Sequence, residues 1–220
     1  MQNSELDKQS NKPNINATKL EVSSFGVIGG LISIEHGIFE TAQGNVPTNG
    51  IIINAIAPGH WYWKEGGELA MTIIPNFLIT GIVAIIIGIM VIIWSIRFVS
   101  AKYGALGLFT LTILTLLFGG GIAFLIIGII ISIIATQINK SHTWWDKHLS
   151  NNVKKYFTKL WLSLFSISII VLGCLVLGGI FGVWFLKPNN AIILLSNVGL
   201  ISIGLIIFTI IFGLIHDIEV

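Results

Sequence analysis

The sequence predicts an all-α fold, a polytopic integral membrane helix bundle of six membrane segments. Three observations carry that reading. Apolar residues make up 54% of the 220 positions and charged residues only 10%. The apolar residues fall into long uninterrupted stretches, and the longest of these holds three glycines in a row, Gly119 to Gly121, near its middle. A soluble domain carries about 25% charged residues, so this chain lacks the polar surface that water requires. That excludes an ordinary soluble enzyme and a disordered chain. A net charge of +2 without a basic patch argues against a nucleic-acid partner. The single cysteine, Cys174, lies within an apolar run and leaves no material for a disulfide framework or a CxxC pair.

In chain order, residues 1–19 are polar with mixed charges and no apolar h-region, so they are not a secretory signal peptide. They form a cytoplasmic tail ahead of one transmembrane helical domain, 20–220. Apolar stretches then cover about 20–39, 71–96, 104–138, 160–186 and 191–215. Each reaches the roughly 20 residues that span a bilayer core of about 30 Å. The third is too long for one crossing, because a single helix over it would extend about 52 Å. Glycine weakens helices and permits tight turns, so the triplet divides it into segments 104–118 and 122–138.

Lysine and arginine placement supports two crossings there. Arg97 and Lys102 precede the stretch, and Lys140, Lys147, Lys154, Lys155 and Lys159 follow it. The positive-inside tendency puts both flanks in the cytoplasm, which needs a hairpin. The result is a multi-pass protein of the cell membrane with both termini cytoplasmic and only Lys64 and Lys187 outside. The first arm is short enough to be re-entrant instead of fully spanning. Trp144, Trp145 and the neighbouring lysines suit the headgroup zone of the lipid bilayer.

The one long external loop, 41–70, is punctuated by glycine and proline and carries an apolar patch, Ile51 to Ile56. That patch and the following His60-Trp61-Tyr62-Trp63 run are expected to lie along the outer membrane face. Alternatively the loop is a lid that brings His60 or Glu68 to the helix ends.

The first segment carries the strongest chemical signal. At about 100° per residue, Gly26, Gly29, Gly30, Ser33, His36, Gly37 and Glu40 fall within about 60° of Ser33. Small residues on one face let helices approach closely in lipid. His36 and Glu40 stand one turn apart on that face, near the external end, and ionisable groups in a membrane segment are costly and generally functional. Glu35 points about 160° away from the stripe. Asn76, beside Pro75, and Asn197 lie at similar depth in the second and sixth segments. The expected ligand-binding set is therefore His36, Glu40, Asn76 and Asn197 around one external pocket, with His60 and Glu68 from the loop.

No HExxH, Walker A, GxGxxG or GxSxG motif is present, so neither a catalytic set, a metal site nor a cofactor can be assigned. The expected function is binding or transport of a small ligand or ion, or service as a membrane subunit beside partner subunits. The alternatives are an intramembrane enzyme using His36 and Glu40 as base or metal ligands, and a structural or assembly protein without a ligand.

Overall fold

A computed structural model of the chain describes residues 16–56, 68–138, 140, 143–185 and 188–219. Helix α1 spans Ala17–Gln43, and strands β1 (Ile52–Ile56) and β2 (Glu68–Met71) follow. Helices α2 (Phe77–Arg97), α3 (Gly104–Leu117), α4 (Ala123–Ala135), α5 (Thr143–His148), α6 (Asn151–Phe185) and α7 (Pro188–Glu219) complete the order. The protein is mostly helical. Four helices, α1, α2, α6 and α7, contain stretches long and apolar enough to cross a membrane, whereas α3 and α4 are shorter apolar helices.

The expected hairpin is present in outline. The chain leaves α3 at Phe118 and re-enters helix at Ala123, with Gly119 and Gly121 at φ +88° and +90°. The side chain of Thr112 fills the space a Cβ on Gly128 would occupy, and Val99 and Ala105 line one cavity with Ala135, so the two arms run antiparallel. At about 1.5 Å per residue the arms measure about 21 and 20 Å, short of a bilayer core.

The long helices begin and end outside the apolar stretches that signal them. Helix α1 starts at Ala17 because Asn16 caps it, accepting from the Lys19 N–H at 2.7 Å. Asp217 of α7 adds two more acceptors there, from Ala17 N–H at 2.7 Å and Thr18 N–H at 2.9 Å. Helix α6 starts nine residues before the expected 160, since charged and amide side chains do not by themselves stop a helix.

Two expectations need correction. The fold is not purely α, because β1 and β2 pair antiparallel with Ile53 opposite Ala70 and Asn54 opposite Leu69. Ile51 to Ile56 is thus strand, and Ile53, Ala55 and Ile56 turn inward with Ala70 and Phe77. The second apolar stretch begins as strand at Met71, and helix begins only at Phe77. Pro75 biases Ile74 away from helix, and Asn76 is the cap, accepting from Ile79 N–H at 3.1 Å.

Helices α1 and α2 pack antiparallel through their small residues. A Cβ on Gly37 would strike the carbonyl of Gly81, and one on Gly30 the carbonyl of Gly88; the reverse holds for each partner. Ser33 reinforces the seam by donating to the Ala84 carbonyl at 3.0 Å, as does Ser23 to Ser95 at 2.7 Å. On its other face α2 exposes Ile82, Ile86, Ile89 and Ile93, an apolar stripe suited to lipid. Helices α6 and α7 form a second antiparallel pair, with Phe157 stacked on Phe212 and Ser168 bonded to Thr209. The pairs share a core that includes Phe25, Val91, Phe124, Ile131, Leu172 and Ile206.

Because backbone meets backbone at Gly81, Gly81→Leu should weaken α1–α2 packing by about 1–3 kcal/mol, whereas Ile86→Leu on the exposed stripe should change little. Thermal unfolding of the purified variants in detergent measures both. Asn76→Ala should cost about 1 kcal/mol through loss of the cap.

Candidate functional site

The buried face of α1 is the predicted stripe: Gly26, Gly29, Gly30, Ser33, His36, Gly37 and Glu40 are all inside. Its C-terminal half meets the tip of the α3–α4 hairpin. Each glycine of the triplet faces one polar side chain. Added Cβ atoms would strike the Glu40 carboxylate at Gly119, Ser33 and Thr115 at Gly120, and the His36 ring at Gly121. Only glycine combines that closeness with the left-handed backbone found at Gly119 and Gly121.

The tip is also tied to the strand that precedes α2. Gly119 N–H donates to the Met71 carbonyl at 2.8 Å, and Ile73 N–H donates to the Leu117 carbonyl at 3.0 Å. Thr72 therefore lies beside Phe118 as an isolated antiparallel bridge. Its hydroxyl is 2.7 Å from that of Thr80 on α2, and both residues are buried.

Two acidic residues approach this junction in different ways. His36 Nε2–H donates to Glu68 Oε2 at 3.0 Å. The ionised carboxylate only accepts, which fixes the proton on Nε2 and leaves the buried Nδ1 without a partner. Burial pushes the Glu68 carboxyl up, but the hydrogen bond from His36 and the positive charge of its protonated ring outweigh it, so its pKa lies below the ordinary value. Glu40 has no such partner. It is fully buried, no charged group among the described residues pairs with it, and the Thr80 hydroxyl is the one side chain among them whose hydrogen bonding bears on it.

Three of the six expected site residues, His36, Glu40 and Glu68, are thus brought to one junction. Asn76 is not part of it; its side chain caps α2 and donates to Asn45 Oδ1 at 2.7 Å. Asn197 is at the same end of the bundle but is exposed on α7. The expectation of one pocket shared by His36, Glu40, Asn76 and Asn197 is therefore corrected. A helix-capping position and an outward helix face took the two asparagines. His60 lies outside the described residues, as do Trp61 to Trp63 and Lys64. Among the described residues no group of three or more His, Cys, Asp or Glu is gathered to hold a metal ion.

Sequence reasoning passed over Glu21. It is fully buried at the opposite end of α1, accepts from Trp161 Nε1–H at 2.6 Å, and packs against Gly213. The expected helix start at residue 20 put it at the water boundary, and its angle, about 120° from Ser33, removed it from the stripe. Thr72 and Thr80 were also missed. Hydroxyls in apolar stretches carry no signal until the neighbouring chain is known.

No known protein family, characterised protein or solved structure matches the chain.

Gly119→Ala should destabilise the protein by about 2 kcal/mol or more, summing left-handed backbone strain with displacement of Glu40. Gly173→Ala, where a Cβ meets nothing, should not destabilise it. A depressed folded-state pKa means that Glu68 adds stability that is complete above its unfolded value of about 4.3 and is lost as pH falls through the folded value. Its side chain is 42% exposed, which limits the contribution to about 1 kcal/mol or less. The thermal-unfolding difference between wild type and Glu68→Gln should therefore shrink as the solution is made more acidic than about pH 5.

Proposed function

We propose that the chain is a multi-pass protein of the cell membrane that binds, and in that membrane transports, a small monovalent cation at Glu40. The carrying observation is a fully buried carboxyl group with no cationic partner, for which the Thr80 hydroxyl is the one side-chain donor in reach among the described residues. Burying a charge without a partner is expensive, and ionisable groups within membrane segments generally serve a purpose. Gly119 packs closely against the Glu40 carboxyl group, so no organic ligand fits between them. Oxygens suited to a hard cation stand nearby, in the Thr72 and Thr80 hydroxyls. The C-terminal end of α3 also directs the negative end of its dipole toward the junction. Non-helical backbone between two half-helices is tolerated at membrane depth where it is buried in protein or lines a polar site, and broken helices serve ion coordination in transporters.

In this reading the α3–α4 hairpin supplies two of six membrane segments, and both termini are cytoplasmic. The loops holding Lys102 and Lys147 then share one side, and residue 45 is on the other. A membrane-impermeant thiol reagent applied to intact cells should label a cysteine at position 45 in a Cys174→Ala background. Cysteines at 102 and 147 should react only after permeabilisation, and labelling of 147 in intact cells would sink the six-segment arrangement.

The cation reading is tested by thermal unfolding of purified protein in choline, lithium, sodium or potassium chloride at constant ionic strength. One alkali cation should raise the midpoint by several degrees, and Glu40→Gln should remove that shift while remaining folded. Equal midpoints in all four salts would overturn the proposal. A second reading, an intramembrane enzyme, draws support from the His36–Glu68 contact, which orients the ring as a base is oriented in hydrolytic sites. The Ser33 hydroxyl is not its nucleophile, because it is engaged by the Ala84 carbonyl. Metal bound to the purified protein and lost on His36→Ala would favour that reading.

A further inference from the structure

The antiparallel hairpin brings two polar ends of the chain together at the far side of the bundle from Glu40. The turn between α2 and α3 and the residues that follow α4 enclose a cavity of about 470 Å³. Its inner wall is apolar, with Val99 and Ala135 buried. Its rim carries Lys102, Lys140 and the Ser100 hydroxyl, and no acidic residue among the described residues lines it. The Lys102 ammonium group lies over the ring of Tyr103, another lining residue, 5.3 Å from its centre. The first turn of α3 opens on the same space, and Tyr103 at its N-cap provides no side-chain hydrogen bond.

We infer that this cavity is a binding site for a phosphate group borne by an anionic phospholipid. Two ammonium groups without a neighbouring carboxylate create a local positive potential, and a phosphate answers it with charge and with acceptor oxygens for the ammonium groups and the Ser100 hydroxyl. The apolar inner wall suits the glycerol and upper acyl carbons attached to that phosphate. Charged residues on both connecting segments put the cavity at the level where headgroups lie, and basic pockets between membrane helices are suited to such headgroups. The site is independent of Glu40 and of any ion bound there.

The test uses full-length protein purified in a non-ionic detergent, with phosphatidylglycerol or phosphatidylcholine added to the micelles and bound lipid read by native mass spectrometry. Wild type should retain phosphatidylglycerol in preference to phosphatidylcholine. The double variant Lys102→Ala/Lys140→Ala should retain about tenfold less, and Lys155→Ala/Lys159→Ala should match wild type. Inorganic phosphate is tested in parallel by thermal unfolding. A stabilisation that needs Lys102 and Lys140, together with no preference for phosphatidylglycerol, would keep the site and assign it to free phosphate. The inference is overturned if Lys102→Ala/Lys140→Ala binds both phosphate sources as wild type does, or if Lys155→Ala/Lys159→Ala loses as much. All four lysines are exposed, so their alanine variants should keep the fold.

Discussion

Backbone polarity at the hairpin tip is the constraint around which the bundle is arranged. Five residues, 118–122, lie between the two helices among apolar neighbours, and each non-proline residue brings an N–H and a C=O that lipid cannot satisfy. The chain meets this requirement from within. Gly119 N–H bonds to Met71, Gly120 N–H bonds back to Thr115, and the Leu117 carbonyl accepts from Ile73. Two of these three bonds need the strand exit at 71–73 to descend to the tip, so α2 cannot begin until after Pro75. The late start of α2 and the existence of the β-hairpin are then two consequences of one requirement. Gln43 ties the other side of that assembly, donating from the end of α1 to the Asn54 and Ala55 carbonyls.

The same constraint explains why polar side chains collect at this junction. A tip that turns with glycine presents bare backbone, and only small or hydrogen-bonding groups can pack against it. Ser33, His36 and Glu40 occupy those places on α1, while Gly30 and Gly37 face the glycines of α2. One helix therefore serves two different partners through adjacent positions of a single stripe. Glycines give close approach to α2, and the polar residues between them reach the hairpin. In lipid there is little hydrophobic drive to bring helices together, so shape and hydrogen bonding decide which faces meet.

How much of this was legible follows from the range of each signal. The stripe on α1 is a local periodicity of one helix, and all seven of its residues are buried. The turn at Gly119–Gly121 was legible because three consecutive glycines interrupt a stretch too long for one crossing. The strands were not. Ile51 to Ile56 reads as an apolar patch in a loop, and its partner, Glu68 to Met71, merges with the following apolar run; only the pairing separates them. Asn76 and Asn197 were grouped by depth, a property shared by every residue near a helix end, and depth says nothing of direction. Asn76 bonds within its own turn, as asparagine before a helix commonly does. Glu21 went unnoticed because its helix begins earlier than hydropathy suggests, a start set by Asn16 and by Asp217 from 200 residues away.

Two buried carboxylates on α1 allow a comparison within one helix. Glu21 and Glu40 both have no exposed surface and both press against a glycine, Gly213 in one case and Gly119 in the other. Glu21 has the Trp161 indole N–H at 2.6 Å, a donor that also fixes α6 against α1. Asp217 beside it is in turn engaged by two backbone N–H groups. That end of the bundle thus uses its polar groups to join α1, α6 and α7. Glu40 has only the Thr80 hydroxyl as a neighbouring donor, since His36 bonds to Glu68. A carboxylate kept only for packing would be replaced at lower cost by an apolar side chain of the same shape, because no partner would then be left unsatisfied. By that measure Glu21 is tied into the bundle through the Trp161 indole, whereas Glu40 has only the Thr80 hydroxyl beside it.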